Sequence, residues 1–95
     1  MRKSDLERIV HELEDNAARV GLMDGDEYRL VLSAGSPING EPWRVYKQNR
    51  ATSQRTTVDF LPDSGALDLS KRESYEILRA ANTVVLALSY IREHS

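Results

Sequence analysis

The chain has 95 residues, with 13 Lys+Arg against 15 Asp+Glu, two His and no Cys. That length makes a single domain, residues 1–95, and the missing cysteine excludes a disulfide scaffold, a thiol nucleophile, an iron–sulfur cluster and a Cys-based zinc site. An apolar fraction of 40% with 29% charged residues excludes a disordered chain; the longest apolar run, residues 84–88, is too short to cross a membrane, and Met1-Arg2-Lys3 leads into polar and acidic residues rather than a signal sequence, so a cytoplasmic domain is expected.

Ser4 with Glu7 three residues on has capping-box spacing. Leu6, Ile9, Val10, Leu13, Ala17 and Val20 follow at steps of three and four, and Gly21 is a natural stop. The pattern predicts a helix over residues 5–20. Period-two alternation then predicts three strands: Tyr28, Leu30 and Leu32; Trp43, Val45 and Lys47; Thr56, Val58 and Phe60. Asn39-Gly40 is a hairpin signal between the first two, and a short turn over residues 49–52 joins the second and third. Ser70 with Glu73 repeats the capping-box spacing ahead of a long helix over residues 71–93. Its apolar positions are Tyr75, Ile77, Leu78, Ala81, Val84, Val85, Leu88 and Ile91, with Leu86 and Tyr90 to one side.

The expected fold is α+β: a three-stranded antiparallel meander packed on one face by an N-terminal and a longer C-terminal helix, in the order α-β-β-β-α. Leu30, Leu32, Trp43, Val45, Val58 and Phe60 would face the helices. Arg29, Arg44, Tyr46, Gln48 and Thr57 would face away.

Charge is unevenly placed. Residues 4–28 hold eight acids and two bases, whereas residues 42–58 hold Arg44, Lys47, Arg50 and Arg55 and no acid. With Trp43 and Tyr46 among them, these four bases suit phosphate neutralisation and base stacking. They equally suit a solvated strand whose charges prevent edge pairing, and the acidic chain as a whole opposes general nucleic-acid affinity. Gly35-Ser36 and Asn39-Gly40 offer backbone N–H groups to an anion or satisfy the angles of a turn; no Gly-Lys-Ser/Thr follows to make a P-loop. His11 shares a helix face with Glu7 and Asp15, but two or three helical groups without a ligand from elsewhere make no metal site, and none is expected. No Ser or Thr has the base and orienting group of a nucleophile, and so small a fold leaves little room for a pocket of ~300 Å³. Neither an enzyme nor a cofactor is therefore expected. Leu86 and Tyr90, with Ala87 and Ile91 beside them, either close the core or meet another helix, and Leu22 and Met23 would extend that surface.

Three segments together are similar to small non-structural proteins of actinobacteriophages of the mycobacteriophage type. They are Ser4-x-Leu6-Glu7-Arg8-Ile9-Val10-x-Glu12-Leu13-Glu14; Tyr28-Arg29-Leu30 with Gly35-Ser36-x-x-x-Gly40-x-x-Trp43-Arg44-Val45-Tyr46; and Glu73-x-x-x-Ile77-Leu78-x-Ala80-x-Asn82 running to Leu88. The resemblance supplies no catalytic residue. It implies a protein made in the bacterial cytoplasm that binds a host protein, in host interference, superinfection exclusion or counter-defence. The leading expectation is thus a protein-interaction module, with a homodimer as a further possibility, and with Trp43, Arg44, Tyr46, Leu86 and Tyr90 as anchors. A nucleic-acid binder using Arg44, Lys47, Arg50 and Arg55 is the second expectation. A nucleotide sponge built on the loop over residues 35–40 is the third.

Overall fold

The computed structural model describes residues 2–23, 25–33, 43–61, 65–67 and 71–94. Its elements are α1 (Lys3–Arg19), β1 (Tyr28–Ser33), β2 (Trp43–Asn49), β3 (Arg55–Thr56), β4 (Ala66–Leu67) and α2 (Lys71–His94). β2 is central. β1 pairs antiparallel along one side of it, while β3 and β4 share the other, β3 opposite Lys47 and Gln48 and β4 opposite Trp43 and Arg44. The α-β-β-β-α order holds, with a sheet three strands wide whose third position is shared by two short pieces. The continuous third strand expected through Val58 and Phe60 is not formed. The chain turns there, Leu61 N–H donating to the Val58 carbonyl at 3.2 Å. That turn sends both Val58 and Leu61 into the core, leaving Phe60 half-buried. The chain returns to β2 at Gly65, whose φ of +91° and close approach to the Val45 carbonyl leave no room for a Cβ.

α1 begins two residues earlier than the Ser4 spacing suggests. The Asp5 carboxylate accepts the Arg2 backbone N–H at 2.9 Å, so Arg2 is the capping position and Asp5 its reciprocal partner. The expected stop at Gly21 is formed as a Schellman motif. Gly21 has φ +78°, its N–H donates to Ala18 O at 3.2 Å, and Leu22 N–H donates to Ala17 O at 2.9 Å. Arg92 of α2 donates from Nη1 to Val20 O at 2.6 Å, placing a cation on the negative end of α1.

The α1 stripe is buried as its spacing requires: Leu6, Ile9, Val10, Leu13, Ala17 and Val20 join Met23, Leu30, Val45, Val58, Leu61, Leu78 and Val85 in one core. α1 touches both β1 and α2 and so joins the sheet to the second helix. Glu14 fastens it to the sheet edge, its Oε1 accepting Leu30 N–H at 2.7 Å. In an edge strand that N–H would otherwise need another partner. Asn16 donates from Nδ2 to Asn82 Oδ1 at 2.8 Å across the two helices.

α2 departs most from expectation. Val84, Leu88 and Ile91, among its apolar positions, are 61%, 45% and 60% exposed. The buried side is instead Ser74, Leu78, Asn82, Val85 and Ser89, at steps of four, four, three and four. Met23, expected to extend the outer surface, is buried in the core.

Candidate functional site

Two surfaces stand out among the described residues. The first is on α2. At 100° per residue, Ile77, Ala81, Val84, Leu88 and Ile91 fall on one side of the helix at steps of four, three, four and three, and Ala80 and Ala87 border them. This is the spacing by which a helix meets another helix. The alanines would let a second backbone approach closely. The stripe opens into a groove of about 390 Å³, whose walls are completed by Leu22 and Phe60 from the far side. The groove exceeds the room anticipated from chain length, because α2 rests on α1 through its polar side and leaves the space beside Phe60 unfilled. Leu86 and Tyr90 are also exposed, but they lie roughly 200° and 240° around the helix from Val84 and so outside the groove. Tyr90 packs on His94, with ring centroids 4.1 Å apart.

The second surface is the face of the sheet turned away from α1. The β1–β2 register aligns Leu30 with Lys47 and Leu32 with Val45, and hence Arg29 with Gln48 and Val31 with Tyr46 on the opposite face. Arg44 alternates onto the same face as Tyr46 and Gln48, as does Arg55, which pairs with Gln48. The Arg55 guanidinium lies over the Tyr46 ring at 5.5 Å and donates from Nε to Gln48 Oε1 at 2.9 Å. That cover is why Gln48, expected to face solvent, is buried. Arg50 sits in the following turn and lines, with Arg29, Gln48 and Ser53, a recess of about 240 Å³. The turn is held by Asn49, whose Oδ1 accepts Ala51 N–H at 2.9 Å and Thr52 N–H at 3.0 Å.

The structure therefore regroups the basic residues. Arg44, Arg50 and Arg55 are brought together, and Arg29, absent from the group chosen by sequence position, joins them. Lys47 is on the other face, its Nζ 4.9 Å from the Tyr28 ring centroid. The signal for Arg29 was available in strand parity but not in the local run of bases, because it comes from a different strand. Trp43 opens β2 opposite Leu67, and its side chain lies outside the described atoms.

The remaining candidates resolve into structure. His11 Nδ1 is 3.5 Å from Glu14 Oε2, the carboxylate that also caps Leu30, rather than gathered with Glu7 and Asp15. Among the described residues no group of three or more His, Asp or Glu is placed to hold a metal ion. The loop over residues 35–40 and the Ser70 cap lie outside the described residues. No described helix is long and apolar enough to cross a membrane. No protein family, curated protein or solved structure matches the chain.

Proposed function

We propose that this chain is a non-enzymatic protein-interaction module that takes an amphipathic helix of a partner along the exposed apolar side of α2. One observation carries this reading: α2 buries Ser74, Asn82 and Ser89 and exposes Val84, Leu88 and Ile91. A helix that packed only for its own domain would do the reverse. Covering those three side chains would contribute on the order of 1 kcal/mol each, since each is about half exposed already. The surface is contiguous through Leu22 and Phe60, which is the form an interaction site takes rather than scattered surface hydrophobes. The resemblance to phage non-structural proteins makes a host bacterial protein in the cytoplasm the partner of this reading. Leu86 and Tyr90, on the opposite side of α2, take no part in this contact.

The test is a Val84→Glu/Leu88→Glu double variant, whose substitutions fall at exposed positions and should leave the melting temperature unchanged. Host proteins retained by the wild-type chain should be lost by the variant, with light scattering showing both as monomers. A wild-type dimer that the variant converts to monomer would make the partner helix a second α2. Retention of the same proteins by both chains, with no change in mass, would overturn the assignment to α2.

A further inference from the structure

The arginine face of the sheet shares no residue with the α2 groove and calls for its own ligand. β1 to β4 contain Arg29, Arg44, Lys47 and Arg55 and no acid, in a chain of net charge −2. Arg29, Arg44, Arg50 and Arg55 are all exposed. None of these four enters an ion pair among the described residues, whose pairs include Arg8–Asp5, His11–Glu14 and Arg72–Glu76. Positive charge is thus concentrated on one face against the sign of the whole molecule.

Edge protection alone accounts for scattered cations, but not for the arrangement at the centre. Arg29, Gln48 and Arg55 form one row across β1, β2 and β3, which sets the two arginine backbones about 10 Å apart at ~4.8 Å per strand. Arg44 lies four residues along β2 from Gln48, about 13 Å away. On this face the Arg55 guanidinium is held over Tyr46 by its bond to Gln48. A guanidinium held in this way is a stacking surface for a nucleobase, and the outlying arginines share its face, where long side chains can reach the phosphates of a strand laid across it. The face belongs to a three-strand-wide sheet, and its described residues project no helix or ribbon that would enter a duplex groove. Its shape favours bases already unstacked.

We propose that this face binds single-stranded nucleic acid, with Arg29, Arg44 and Arg50 on phosphates and the Arg55–Tyr46 pair as the stacking platform. The proposal is independent of any role for α2. It is tested by fluorescence anisotropy with a labelled oligothymidylate of about twelve nucleotides, within the ~4–16 nucleotide sites typical of sheet-based single-strand binders. Binding should appear at low salt, and log K should fall against log salt with a slope of about −2, as expected for three phosphate contacts at roughly −0.7 each. Arg29→Ser/Arg50→Ser should reduce the slope magnitude by about 1.4. Arg55→Ser and Tyr46→Leu should each weaken binding about tenfold with less change in slope, since they remove stacking. Arg55 is exposed, so its variant reports on the platform even if Tyr46→Leu unsettles the sheet. No anisotropy change at protein concentrations up to about 100 µM, the weak limit of non-specific binding, would overturn the proposal. So would equal affinity for a duplex of the same length, or binding that survives all three variants.

Discussion

Glu14 and Gly65 show how much of this fold rests on single atoms. Glu14 Oε1 is the acceptor for a backbone N–H of β1, so replacing it by Ala leaves a part-buried donor without a partner. That should cost about 1–3 kcal/mol in urea unfolding. Glu14→Gln, which keeps an oxygen acceptor, should cost less, and amide exchange at Leu30 should separate the two. At Gly65 a methyl group meets the Val45 carbonyl as well as an unfavourable φ, and Gly65→Ala should destabilise by about 2 kcal/mol or more. Gly21 has a similar φ, but a Cβ there meets nothing nearer than Arg92 Nη1 at 3.6 Å. Gly21→Ala should therefore cost only about 1 kcal/mol, the strain term alone. The ratio of these two losses measures how much of Gly65 is steric. The sequence announced Gly21, because it ends an apolar stripe. At Gly65 turn composition is legible but the steric constraint is not, because it comes from a strand twenty residues earlier.

The two helices differ in how openly their sequences declare their packing. In α1 the apolar stripe and the buried stripe are the same residues. In α2 they are adjacent and distinct, and assigning the more apolar side to the core picks the wrong one. Ser74, Asn82 and Ser89 are the marks of the buried side. A polar residue earns attention as a core position only once its neighbour is known, and Asn82 has its neighbour in Asn16. Ser74 has none: its Oγ is fully buried with no hydrogen-bond partner. Ser74→Ala should accordingly be neutral or stabilise by up to about 1 kcal/mol in thermal unfolding, because it removes an unmet hydroxyl. Asn82→Ala should instead destabilise by about 1–2 kcal/mol, since it orphans Asn16. The sheet was legible to the extent that alternation persisted. β1 and β2 alternate cleanly and their faces follow, while the third position breaks at Val58 because two inward residues three apart need a turn and not a strand.

Across the molecule an arginine-bearing surface and an apolar surface are placed on different elements. The outer sheet face carries Arg29, Arg44 and Arg55 without an acid in its strands, and the large exposed aliphatics lie on α2. The sorting is tertiary: Arg29 joins Arg44 and Arg55 through strand register, and Leu22 and Phe60 join the α2 stripe from two separate turns. A one-dimensional charge count sees only the local run from residue 44 to 55, and so includes Lys47, which pairing sends to the other side. Because the two surfaces share no residue, their losses should be separable. Val84→Glu/Leu88→Glu should leave oligonucleotide affinity within about twofold of wild type, and Arg29→Ser/Arg50→Ser should leave partner-helix binding equally intact, as holds for substitutions at distant sites without common contacts. The combined four-residue variant should show the sum of both losses, measured by anisotropy and light scattering on one preparation. A coupling free energy above about 0.5 kcal/mol would mean instead that α1, which touches both β1 and α2, transmits occupancy of one surface to the other.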